Sequence, residues 1–85
     1  MKVYTVIEIS SSDDVKASLD TTKAFSSYED ARKMLQNSYV DLTNGLDAYG
    51  EVVQKELYGN YYSVTLEEDD CSTIYEGYIR ELEVE

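Results

Sequence analysis

The residues best suited to chemistry in this sequence are the carboxylates near its C-terminus. Residues 67–85 contain eight of the 18 acidic residues and one basic residue, Arg80. This stretch therefore carries a net charge of −7 out of the total of −11. Carboxylates at this density can bind divalent cations, act in pairs as general acid and base, or attract a basic protein surface. The other residues of the chain discriminate among these three kinds of chemistry.

The sequence lacks the residues that metal binding and catalysis usually need. The run from Glu67 to Asp70 has neither the alternating oxygen ligands nor the central glycine of an EF-hand loop. The chain has no histidine, the commonest general base and metal ligand. Its one cysteine, Cys71, has acidic neighbours that favour the unreactive thiol. The four glycines are scattered and form no phosphate-binding loop. We therefore predict a protein that is not an enzyme and that uses no metal or other cofactor.

A basic protein surface is the partner that the charge favours. A net charge of −11 opposes direct binding to nucleic acid or to an anionic membrane. On an edge strand, the C-terminal glutamates would share one face at intervals of ~6.6 Å and resemble a short run of phosphates. Tyrosines of the same stretch would pack beside them. The predicted partner-binding residues are Glu67, Glu68, Asp69, Asp70, Tyr75, Glu76, Tyr78, Glu81, Glu83 and Glu85.

Two functions are consistent with such a surface. The first is an inhibitor encoded by a phage or mobile element, which imitates DNA and occupies the basic nucleic-acid-binding surface of a host defence or DNA-processing protein. Some anti-restriction and anti-CRISPR proteins act in this manner. The second is a small adaptor or regulatory domain that binds a protein or peptide through a sheet edge, with the acidity serving solubility only. Charges on an edge strand also prevent aggregation, so the pattern leaves both open. A homo-oligomer with packed, tyrosine-rich sheet faces is a third hypothesis.

Length and composition predict a single cytoplasmic domain, residues 1–85. The hydrophobic content of 42% is ordinary for a folded chain of this size. A single cysteine cannot form an intrachain disulfide, whereas a secreted domain this small usually has several. No stretch resembles a signal peptide, and no apolar run approaches the ~20 residues that a membrane helix needs.

Hydrophobic periodicity predicts the elements that must position these carboxylates. Alternating patterns indicate strands at residues 3–9, 15–25, 61–66 and 72–84. The first two are joined as an antiparallel hairpin, and the last is bent or bulged at Gly77. A capping box at Ser26 and Glu29 starts a helix, and Asn44 with Gly45 caps its end.

Residues 46–58 are ambiguous in this pattern. Their apolar positions keep helical spacing despite Gly50, which favours a second helix or a continuation after a kink; a strand at 52–58 is the alternative. The predicted fold class is α+β, with a small antiparallel sheet of about four strands in the order β-β-α-(α)-β-β. One long helix or two short helices pack on one face of the sheet.

Overall fold

The computed structural model describes residues 1–12, 17–46, 50–68 and 71–84 and is built around one antiparallel sheet. The strand order is β2-β1-β5-β4-β3, and the single helix packs on one face. The α+β class is therefore confirmed, although the sheet has five strands instead of four. The part of the chain described here has no helix that could cross a membrane. The elements are β1 (Lys2–Ser12), β2 (Ser18–Phe25), α1 (Tyr28–Leu46), β3 (Glu51–Leu57), β4 (Tyr61–Glu68) and β5 (Cys71–Glu83).

The strand β3 lies where a second helix was favoured, so the predicted element order is wrong and the alternative strand is right. Its sequence contains adjacent β-branched valines, Val52 and Val53, which suit a strand. After a short turn the chain returns as β4, and the Tyr58 N–H donates a 2.7 Å hydrogen bond to the Tyr61 carbonyl oxygen. Hairpin pairing with β4 thus overrides the helical spacing of the apolar residues.

Both predicted ends of the helix need correction. The cap at its start is Ser27, not Ser26: the Ser27 hydroxyl accepts a 3.5 Å hydrogen bond from the Asp30 N–H, and its carbonyl oxygen accepts one of 3.2 Å from Ala31. At the other end, Asn44 and Gly45 lie inside the last turn of α1, which continues to Leu46. A glycine in a helix costs only about 1 kcal/mol relative to alanine, which packing of the preceding turns can offset.

The strand β5 lies between β1 and β4 and is not an edge strand over most of its length. Its pairing with β4 runs from Cys71 to Tyr78, and its pairing with β1 extends to Glu83. Only its last residues are flanked by β1 alone within the described segments. The strand predicted at residues 61–66 is also longer than expected, because Glu67 and Glu68 belong to β4; Asp69 and Asp70 lie outside the described residues.

The core lies between α1 and the centre of the sheet. Ala31 and Leu35 of the helix are fully buried against Val6 of β1 and Val64 of β4. Tyr62 completes this cluster with 1% of its surface exposed. Because successive side chains on a strand point to opposite faces, the burial of these residues assigns every alternate side chain to the uncovered face.

Gly77, at the middle of β5, provides the space that Tyr62 occupies. It is paired with Glu8 of β1 on one side and with Tyr62 of β4 on the other. A Cβ atom at Gly77 would lie 2.1 Å from Cε2 of the Tyr62 ring, so the ring packs directly on this glycine. The pairing continues in register on both sides, so the bulge predicted at Gly77 is not found and the glycine serves close packing instead.

The Tyr62 side chain crosses β5 and donates a hydrogen bond of 2.5 Å to Oε2 of Glu8. Glu8 is only 9% exposed, and the structure gives it no ion pair with any described residue. Burial, and secondarily the Glu8 carboxylate, raise the pKa of Tyr62 far above its ordinary value. The phenol therefore remains protonated and can act as the donor that this buried carboxylate requires.

Replacing Gly77 with alanine should destabilise the protein by about 1–3 kcal/mol, because the new methyl group would displace the Tyr62 ring. Urea denaturation would measure the change. Gly45→Ala is the matched control, since a Cβ there meets nothing within 4 Å and alanine favours the helix. An equal loss in both variants would contradict the packing role of Gly77.

Replacing Tyr62 with phenylalanine should lower the free energy of unfolding at pH 7 by about 1–3 kcal/mol, because Glu8 loses its donor. The tyrosine's pKa is higher in the folded protein than in the unfolded chain. The wild type should therefore lose stability as the pH rises above about 10, where the unfolded chain releases its proton first. Tyr62→Phe should lack this part of the alkaline loss, whereas Tyr58→Phe, at a side chain that is 57% exposed, should retain it. Identical pH profiles for the three proteins would refute this account.

Candidate functional site

The sheet face opposite α1 carries four carboxylates on its β3–β4–β5 side, and we call these four residues the acidic face. Tyr62 and Val64 point towards the helix, so Ser63 and Glu67 of β4 point away from it. Register then places the other carboxylates beside them: Glu51 is opposite Glu67, while Glu56 and Glu76 flank Ser63 on either side. The acidic face therefore comprises Glu51, Glu56, Glu67 and Glu76.

The backbone spacing arranges these carboxylates as two pairs. Directly opposed residues have Cβ atoms about 5 Å apart, so Glu51 and Glu67 place like charges opposite each other, an arrangement that lowers stability. Glu56 and Glu76 are separated by two strand spacings, about 10 Å, and the two pairs lie about 13 Å apart along the strands. No residue in the described segments forms an ion pair with any of the four. The face therefore presents unneutralised negative charge on a rigid sheet.

Three tyrosines border the acidic face at one end. The Tyr61 hydroxyl donates a 2.7 Å hydrogen bond to Glu76, and this bond raises the pKa of Tyr61. Its ring stacks on Tyr58, with the ring centroids 6.2 Å apart, and Tyr78 is its partner on β5. Tyrosine rings beside carboxylates suit contacts with lysine and arginine, which bind both the charge and the ring face. The arrangement is chemically fitted to a cationic protein surface.

The structure divides the predicted partner-binding residues between the two sides of the sheet. Glu67, Glu76 and Tyr78 lie together on the uncovered side. Tyr75 lies on the helix side, half-buried against the core. Glu68 is exposed at the end of β4 and points to the same side as Leu66. Asp69, Asp70 and Glu85 lie outside the described residues.

Glu81 and Glu83 share one side of β5, as predicted, but it is the helix side, and both are paired with cations. The Lys2 ammonium lies 3.0 Å from Glu81, and the hydrogen bond between them raises the pKa of Lys2. The N-terminal amino group lies 3.6 Å from Glu83. These glutamates are thus partly neutralised by β1, and they are separated from the acidic face by the thickness of the sheet.

Sequence reasoning missed Glu51 and Glu56 because residues 46–58 were assigned to a helix. The alternative strand would have placed Gln54 and Glu56 on one side, and this alternation was the available signal. The opposition of Glu51 and Glu67 could not be predicted from alternation, because an irregularity between Val52 and Gln54 shifts the register of the hairpin by one residue.

The described residues contain no candidate metal site, and no known protein matches the chain. Among residues 1–12, 17–46, 50–68 and 71–84, no three acidic or cysteine side chains are grouped so that they could hold a metal ion. In comparisons with known proteins, no family model matches the chain, and neither does any curated protein or solved structure.

Replacing Glu67 with glutamine should stabilise the protein by a few tenths of a kcal/mol at low ionic strength, because it removes a like charge directly opposite Glu51. About 0.5 M salt should abolish the gain by screening the repulsion. Chemical denaturation would measure both effects. Glu83→Gln is the control, since this glutamate is near a positive amino group and should give no gain. A destabilised Glu67→Gln variant would show that the pair is not repulsive.

Proposed function

We propose that the protein is a non-catalytic acidic protein that binds a basic surface of a partner protein through the acidic face. The observation that carries this proposal is the direct opposition of Glu51 and Glu67 with no cation beside them. Such a pair weakens the fold, so it contributes nothing to stability in the free protein. A lysine or arginine supplied by a partner would be attracted to both carboxylates and would offset the repulsion between them.

The shape of the site supports a protein partner. The molecule measures 48 × 24 × 15 Å, so the sheet offers a long and thin surface. The carboxylates are held by strands, and side chains on rigid elements are pre-organised for binding. Tyr58, Tyr61 and Tyr78 add ring surface of the kind that is enriched at protein interfaces.

In its specific form, the proposal is that the partner surface normally binds nucleic acid. Lysine and arginine side chains arranged for phosphates also bind carboxylates, and arginine can do so with two parallel hydrogen bonds. A net charge of −11 would steer the protein to such a surface. The protein would then be an inhibitor from a phage or mobile element, imitating DNA to block a host defence or DNA-processing protein.

The proposal is tested by removing the charge of the acidic face alone. In one variant, Glu51, Glu56, Glu67 and Glu76 are all replaced by glutamine, which keeps their size and leaves an acceptor for Tyr61. Immobilised wild-type protein is used to capture partners from a host lysate, and captured or candidate nucleases are assayed for DNA cleavage. We expect the variant to lose at least tenfold in affinity and to inhibit correspondingly less.

The control variant removes the same number of charges from other surfaces: Glu29→Gln, Asp30→Asn, Glu81→Gln and Glu83→Gln. It should bind nearly as well as the wild type at equal ionic strength. Equal weakening of both variants would mean that only total charge matters and would overturn the proposed site. Capture that survives both variants and about 0.5 M salt would favour the adaptor that binds through a sheet edge. Capture of further copies of the chain would favour a homo-oligomer.

A further inference from the structure

A cavity of about 420 Å³ lies on the helix side of the sheet, away from the acidic face. It is open to solvent on one side and is lined by the second half of α1, by β1 and β2, and by the rings of Tyr62 and Tyr75. Cavities of this size accommodate small molecules. The proposed function makes no use of this cavity, so its ligand is a separate question.

The cavity combines an apolar wall with hydrogen-bond acceptors. Leu42 and the ring of Tyr75 provide apolar surface, while Glu8, Asp20 and Asp41 bring three carboxylates to the same space. No lysine or arginine lines it. The Tyr62 hydroxyl already donates to Glu8, so that proton is not available to a ligand. A ligand that fits must therefore bring its own donors together with an apolar part.

Glu8 is the second observation that points to a ligand. Its side chain is nine-tenths buried, and Oε2 accepts the hydrogen bond from Tyr62. Its other oxygen, Oε1, accepts no hydrogen bond from any residue in the described segments, and the side chain lines the cavity. Buried carboxylates in proteins are ordinarily paired with a cation. No buried polar side-chain atom in the described segments lacks a partner, so Oε1 is not sealed off and opens onto the cavity, where a cation would reach it.

A backbone irregularity brings a further carboxylate to this point. The pairing of β1 with β2 shifts between Glu8 and Ile9, where Thr21 and Leu19 are the successive partners and Asp20 is the extra residue. Bulges of this kind redirect a side chain and are common beside binding sites. Glu8, Asp20 and Asp41 do not form a group that could hold a metal ion, so a bare metal ion is not the ligand expected here.

We propose that this cavity binds a small primary alkylammonium ion. The ammonium group donates to Oε1 of Glu8 and lies between the carboxylates of Asp20 and Asp41, which are exposed at the rim. The alkyl chain packs against Leu42 and the ring of Tyr75. An ammonium has three donors and no acceptor, which matches a site whose charged groups are all acceptors.

Titration with n-hexylammonium chloride, followed by calorimetry or by NMR shifts of residues around the cavity, tests the proposal at constant ionic strength. We expect saturable binding of one ion per chain and at least tenfold weaker binding of 1-hexanol, which has a similar chain without the charge. Glu8→Gln should weaken ammonium binding at least tenfold. Glu67→Gln, which removes one charge from the acidic face, should leave it unchanged.

A filled cavity provides a test that keeps all three carboxylates. Ser38→Phe places a ring in the cavity and should abolish binding, whereas Asn37→Phe, at the neighbouring exposed helix position, should not. This pair decides the question even if Glu8→Gln fails to fold. No saturable binding by the wild type, equal binding of hexanol, or unchanged binding in Ser38→Phe would overturn the proposal. None of these outcomes affects the acidic face, so the two proposals fail independently.

Discussion

The hydrogen bond from Tyr62 to Glu8 is the interaction on which the rest of this structure depends. It joins β4 to β1 across β5, and it is buried under α1. It needs a glycine at position 77, because the tyrosine ring occupies the space of a side chain there. It also determines which face of the sheet the side chains of β4 take. With Tyr62 facing the helix, strand alternation places Tyr61 and Glu67 on the uncovered side. One buried contact thereby sets the direction in which the acidic residues point.

The sheet separates two chemically different surfaces. On the uncovered side, carboxylates and tyrosine rings form a flat surface with no ion pairs among the described residues. On the helix side, Lys2 and the N-terminal amino group partly neutralise Glu81 and Glu83. Charge is therefore segregated by face as well as along the sequence, and the C-terminal acidic stretch contributes to both faces. Glu76 and Glu81 are an odd number of positions apart on β5, so alternation places them on opposite faces.

Local patterns were sufficient for much of the fold. Alternation located β1, β4 and β5, and helical spacing located α1, because these signals act within a few residues. The same signals failed at β3, where apolar spacing suited a helix but pairing with β4 decided the structure. The role of Gly77 and the opposition of Glu51 and Glu67 depend on the register between neighbouring strands, which the pattern within one strand does not specify. The candidate site was thus only partly predictable. The types of residue in it were evident, but which particular residues form it was not.

The position of β5 in the sheet has a consequence for how the chain acquires its structure. Two of the units are local, the β1–β2 hairpin and the meander of β3, β4 and β5. They meet only where β1 pairs with β5, and even the nearest of these pairs, Ser12 with Thr73, joins distant parts of the chain. Closing such a loop has an entropic cost that precedes any gain from contact, so we expect docking of the two units to be the slow event in folding. During synthesis, β1 has to remain without its second neighbour until β5 has been made.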